Sequence, residues 1–215
     1  MKKMLLPTIK LLDELPLERT SEILENDGAR DSIEQLNWIE KFNYRPITFF
    51  YVARSETAIY IKYHVHGSML RAVYSEDMSP VHGDSCVEFF CKLPGSSHYM
   101  NFEFNCIGTC SAAKRKARNE DVTPYTRQEL SLIKRFSSIG RRVFKELNGM
   151  FEWDLTVKIP FLLMDMDANN LPEKLTGNFY KCADDTSMPH YVSWNPVKTE
   201  LPDFHRPEFF GEIYL

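Results

Sequence analysis

The residue types able to do chemistry concentrate between positions 81 and 105. The run VHGDSCVEFF, Val81 to Phe90, puts a turn at Gly83-Asp84 and starts a strand at Ser85. Side chains alternate along a strand, so Cys86, Glu88 and Phe90 share one face and Val87, Phe89 and Cys91 the other. A carboxylate in such apolar company is costly to bury unless it is paired or hydrogen-bonded. Glu88 is therefore either an anchor to backbone or to an arginine, or an acceptor for a ligand's hydroxyl groups. In the next run, YMNFEFN, Asn101, Glu103 and Asn105 share a face and Phe102 and Phe104 the opposite one. An amide, an acid and an amide in a row can bond a polyhydroxylated ligand. The same strip would equally suit contact with plain solvent.

A second candidate closes the chain. PDFHRPEFFGEIYL sets Phe204, His205 and Arg206 between Pro202 and Pro207, ahead of an alternating last strand. A surface turn gains nothing in solubility from phenylalanine, so the ring is either packed or presented to a ligand.

Other chemistries find less support. Five cysteines are an odd set and do not complete a disulfide framework. Free, mostly buried thiols fit a reducing compartment. Cys106 and Cys110 lack a second closely spaced pair, and Cys86 and Cys91 point to opposite faces, so no zinc site is expected. His64 and His66 share a strand face without a third ligand in view. No metal or other cofactor is expected. Asp84, Glu88, Glu103, Asp184 and Asp185 would suffice for a hydrolytic pair of carboxyls, but their spacing singles out no two. No GxSxG, phosphate-loop or HExxH pattern occurs.

These residues must be held by strands. Strand-like runs recur at 47–54, 58–67, 85–93, 98–108, 130–138, 151–160, 177–184, 190–195 and 209–215. Turn signals separate most of them, including Pro94-Gly95, Asn148-Gly149 and Asp184-Asp185. Short helical pieces are expected around Leu17–Leu24 and after Pro160. Aromatics at 13% favour strands, and 43% hydrophobic residues suffice for a core. The expected class is all-β: one antiparallel β-sandwich domain over residues 1–215, immunoglobulin-like or jelly-roll-like in architecture.

Composition also narrows the partners. A net charge of −4 disfavours a nucleic-acid binder held by phosphates, which needs surplus Lys and Arg. The basic run AAKRKARNED, with Lys114, Arg115, Lys116 and Arg118, is followed at once by acids and reads as a solvated loop. No stretch approaches the roughly 18 apolar residues of a membrane span. Pro7 and Lys10 interrupt the apolar start, so it reads as a first strand of a cytoplasmic protein, with a removed leader as the alternative.

Several short motifs in order, from about Trp38 to the end, resemble the family-9 carbohydrate-binding module in its stand-alone form. They are Asp84-Ser85 with Val87-Glu88-Phe89, then YMNFEFN, NFYKCADD, PHYVSW and DFHRPEFFG. The resemblance implies a β-sandwich that holds a terminal sugar between two aromatic rings without cleaving it. The family's acid falls on Glu88 and its asparagine on Asn105. One clamp tryptophan falls on Phe204, with His205 and Arg206 beside it for hydroxyls. The other clamp tryptophan falls on Val81, a family arginine on Glu103 and a family acid on Gly67, so those parts of the sugar site differ here.

The expected function is non-catalytic carbohydrate binding in poly- or oligosaccharide catabolism, with a glycoside hydrolase as a possible partner. Phe204 is the expected platform, Glu88, Asn105, His205 and Arg206 the polar contacts, and Trp194 or Tyr180 a second wall. A hydrolase acting on glycosidic bonds, as xylanases do, and a protein-interaction sandwich are the alternatives.

Overall fold

The structure, a computed structural model, describes all residues 1–215. Its strands, in chain order, are β1 (Lys3–Leu5), β2 (Ala29–Ser32), β3 (Gln35–Leu36), β4 (Ile47–Arg54), β5 (Ala58–Ala72), β6 (Cys86–Lys92) and β7 (Tyr99–Asn105). They continue with β8 (Cys110–Arg115), β9 (Thr123–Pro124), β10 (Lys134–Ser137), β11 (Phe144–Pro160), β12 (Lys174–Cys182), β13 (Tyr191–Ser193) and β14 (Gly211–Tyr214). Two helices, α1 (Leu17–Asp27) and α2 (Arg127–Leu132), and four single-turn 3-10 pieces complete the chain.

The strands form two sheets, a β-sandwich. The larger runs β1-β14-β12-β6-β7-β8-β9, with β13 and β3 attached to β12; the smaller runs β10-β11-β5-β4-β2. Every pairing is antiparallel except that of β1 with β14. Alternation explains the division of labour. Val87, Phe89 and Cys91 of β6 and Phe102 and Phe104 of β7 turn inward, into a core of 37 residues between the sheets. There Phe179 of β12 stacks on Phe50 of β4 at 3.9 Å and on Phe89 at 4.9 Å, tying the layers together. Each such aromatic pair adds about 0.5–1.5 kcal/mol beyond the area it buries.

The opposite face of β6, β7 and β12 is covered as well. A second apolar cluster of Trp38, Val81, Cys86, Phe90, Tyr99, Tyr180, Cys182, Val197, Phe204 and Phe210 lies there, beneath the segment that leads into β14. These strands therefore bury both faces, which is why their runs of aromatics are nearly continuous. Gly211 fits because a side chain would collide with Trp194, 2.5 Å from the position of a Cβ, and with the Lys2 carbonyl at 2.9 Å.

The run at 130–138, expected as one strand, is two elements. Thr126 and Glu129 form a reciprocal capping box that starts α2, and β10 begins only at Lys134. The basic run is not uniformly solvated. Its first half belongs to β8, where Lys114 pairs with Asp165 and the Arg115 Nε donates to Asn101 at 2.7 Å.

Candidate functional site

The covered face of the larger sheet is not closed everywhere. A cleft with a cavity volume of about 70 Å³ opens over the meeting point of β6 and β12, with Glu88 and Cys182 at its base. His82 and Asp184 line one side. Tyr191, Asp203, Phe204, His205 and Arg118 line the rest.

Glu88 sits there because β6 alternation turns it outward beside Cys86, and it is 97% enclosed by its own count of 3% exposure. Its Oε1 accepts from Cys182 Sγ at 3.1 Å and from Cys86 Sγ at 3.9 Å. Its Oε2 has no partner in the protein. Burial pushes this carboxyl well above its usual range, and Glu103, directly opposite on β7, pushes it further. Burial thus favours the protonated form of Glu88, and its second oxygen has a hydrogen bond still to make. Asp184 follows the same logic. Burial raises it to about 6 despite the opposing pull of His82, and its Oδ1 is also unpartnered.

His82 lies 3.8 Å from Glu103, whose carboxylate raises the imidazole pKa. His205 behaves in the opposite way. Its ring leans on Phe90 at 5.0 Å, its Nδ1 meets the Tyr99 hydroxyl at 2.9 Å, and burial lowers it to about 3, with Arg115 and Arg118 contributing. It is therefore neutral at neutral pH. Arg118 reaches across from the end of the basic run to Asp203 at 3.4 Å.

Phe204 is packed on one side and meets the cleft on the other. It stacks on Tyr180 at 4.1 Å with the planes 16° apart, and it approaches Trp38 at 6.1 Å and Tyr191 at 6.2 Å. Only 8% of it is exposed. Tyr191 is the half-buried ring at this opening, held edge-on by Phe42 at 4.8 Å and Trp38 at 6.3 Å.

Of the residues singled out in the sequence, Glu88, Phe204 and His205 meet at the cleft. The other four do not. Asn105 has every polar atom engaged: its amide donates to Asp84 at 2.9 Å and the Tyr74 carbonyl at 2.8 Å, and its oxygen accepts from the Thr109 N–H. It fixes a loop. Tyr180 is fully enclosed beneath Phe204, its hydroxyl donating to the Phe204 carbonyl at 3.1 Å. Arg206 turns to Glu208, which its Nε reaches at 2.8 Å. Trp194 lies wholly inside the sandwich with Nε1 donating to Asp31 at 2.6 Å. Strand parity explains that last difference: Val192 and Trp194 face the core, and Tyr191 faces the cleft cluster.

The polar strip of β7 is likewise neither solvated nor open. Asn101, Glu103 and Asn105 are all buried, and Asn101 donates to Glu103 at 3.0 Å. Asp184, a candidate carboxyl in the sequence, lines the cleft, as do His82, Arg118, Cys182, Tyr191 and Asp203, which the sequence did not single out as ligand contacts. The alternation of PHYVSW carried the signal for Tyr191, and nothing in the sequence alone placed Arg118 over Asp203.

The chain is thus a two-layer β-sandwich with a small aromatic and carboxyl-lined cleft on one sheet. The comparison with known proteins agrees on the class. The family model for carbohydrate-binding family 9 matches residues 19–215, and the chain belongs to that family. A Bacteroides uniformis protein to which carbohydrate binding has been ascribed is similar over 99% of this chain and 98% of its own, with 31% identity and a TM-score of 0.91. A family-9 module from Caldicellulosiruptor kristjanssonii, solved in complex with glucose, shares the fold at 13% identity and a TM-score of 0.58, over 100% of this chain and 95% of its own. The same kind of module solved with cellotriose aligns at 12% identity and a TM-score of 0.58, over 100% and 93%. No protein with a curated description matches the chain.

Proposed function

We propose that this chain binds carbohydrate without cleaving it, and that the cleft over Glu88 receives the edge of one sugar unit. The observation that carries the reading is the Glu88 Oε2, buried and unpartnered in a cleft that the half-buried Tyr191 also lines, in a member of a carbohydrate-binding family. Aromatic faces suit the apolar C–H side of a sugar, and carboxyls, an imidazole and a guanidinium suit its hydroxyls. The glucose and cellotriose held by the Caldicellulosiruptor modules support a glucose-type ligand. The cleft is well below the roughly 300–1,000 Å³ of pockets that engulf a ligand. It therefore grips part of a sugar, and the rest lies on the rim by Arg118 and Asp203.

A place in oligosaccharide catabolism beside a glycoside hydrolase belongs to the same proposal, as does action of residues 1–215 as one unit. Five free, buried thiols support work in a reducing compartment. A glycan array with the purified chain tests the reading. Saturable binding of glucose-containing glycans is expected. Release of reducing sugar would replace it with hydrolysis, and silence across the array would replace it with a protein-interaction role.

A further inference from the structure

The base of the cleft holds a second constellation that sugar binding does not require. Cys86 and Glu88 lie two apart on β6, hence on one face, and Cys182 of β12 is the register partner of Cys86. The two sulfurs and a Glu88 oxygen fall within 4.8 Å of one another, and all three residues are buried. The observed Cys182–Glu88 and Cys86–Glu88 separations are 3.1 and 3.9 Å. Ligands on one tetrahedral zinc, with Zn–S about 2.3 Å and Zn–O about 2.0 Å, stand about 3.5–3.8 Å apart. The two sulfur–oxygen separations bracket that spacing, and the sulfurs are no more than 4.8 Å apart.

An independent observation points the same way. Glu88 Oε2 is buried with no hydrogen-bond partner, and such atoms are rare unless water, an ion or a ligand completes them. We propose that Cys86, Cys182 and Glu88 form a three-ligand site for a thiophilic divalent cation, zinc above all, whose fourth position faces the cleft. Two thiolates and a carboxylate select zinc over calcium or magnesium, which take oxygen donors. Binding releases the two thiol protons and the carboxyl proton of Glu88 to solvent, and the ion's charge offsets the three anions this gathers beneath the cleft. The three protein ligands lie on one side of the ion, leaving an open position as in zinc sites that bind an exogenous group. His82, whose carbonyl is 3.8 Å from Cys182 Sγ, flanks that position.

Spacing along the chain conceals this site, because its ligands come from strands nearly a hundred residues apart. It shares the Glu88 carboxyl with the sugar reading, and it is tested without sugar. Reduced, metal-free protein is titrated with cobalt(II) as a spectroscopic stand-in, then with zinc in competition with a chromogenic chelator. The expected result is one equivalent per chain, with a thiolate-to-cobalt charge-transfer band in the near ultraviolet that zinc abolishes. Cys86→Ser and Cys182→Ser should each remove at least half of the band, the double variant should abolish it, and Glu88→Gln should weaken zinc by about tenfold or more. Cys91→Ala, on the opposite sheet face, should keep it. Wild-type protein decides the matter even if a variant fails to fold: absence of the band overturns the site. A band of full intensity in folded Cys86→Ser or Cys182→Ser, or any band in the folded double variant, overturns it too, by placing the metal elsewhere.

Discussion

Phe204→Ala separates packing from presentation at the turn where sequence left both open. The ring is 92% enclosed on an exposure of 8%, stacked on Tyr180 and edged by Trp38 and Tyr191. Core Phe→Ala replacements cost about 3–5 kcal/mol, less where the surroundings can collapse into the space. Here the ring sits on an irregular segment between Pro202 and Pro207, so partial collapse is available and about 3 kcal/mol is expected. For a chain of this size each kcal/mol moves the melting temperature by about 2–4 °C, so the midpoint should fall by about 6–12 °C. Thermal unfolding followed by circular dichroism, with urea unfolding to confirm the free energy, measures this. Phe204→Trp should also destabilise, by about 1–3 kcal/mol, because the enclosed space is already filled. A Phe204→Ala protein with an unchanged midpoint and weakened sugar binding would refute the reasoning, since the ring would then serve only a ligand.

Trp194→Phe removes a buried hydrogen bond to Asp31 and leaves a void about the size of the lost second ring, and should cost about 2–4 kcal/mol in urea unfolding while leaving sugar affinity unchanged. His205 makes the fold acid-sensitive. Its folded pKa of about 3 lies below the unfolded value of about 6.5, so its contribution is complete above pH 6.5 and is lost as pH falls towards 3. Stability should drop by up to about 1.4 kcal/mol per pH unit from this group, and His205→Asn should flatten that part of the curve in urea midpoints between pH 7 and 4. Gly211→Ala forces Trp194 or the Lys2 backbone to move and should cost about 1–3 kcal/mol, read as a lowered melting temperature. All five cysteines should react with a thiol reagent after denaturation without reductant; one or three would mean disulfides.

Much of the scaffold was legible because alternation is a local property. The faces of β6 and β7 were correct residue by residue, and the recurring short runs pointed to a sandwich. Two kinds of information were not local. Covering of the outer face by the segment before β14 buried the Asn101–Glu103–Asn105 strip, whose polarity alone suited solvent or ligand equally. Cross-strand register decided the cleft base, where Cys182 meets Cys86, and no count along the chain reveals that. Trp194 shows a different failure. Its parity with Val192 puts it in the core, and Tyr191 takes the other face. At 130–138 the TRQE capping box preceded the expected strand and took its first residues into a helix.

The central claim is that sugar enters at the Glu88 cleft. Titrating isotope-labelled protein with cellotriose, and following backbone amide shifts by NMR, tests it most directly. The account predicts saturable shifts clustered at Glu88, Cys182, Asp184, Tyr191, Phe204 and His205, and affinity lowered by up to about tenfold in Tyr191→Ala, the worth of one aromatic contact. Saturable shifts confined to another face of the sandwich, or none with cellotriose or glucose, would contradict it.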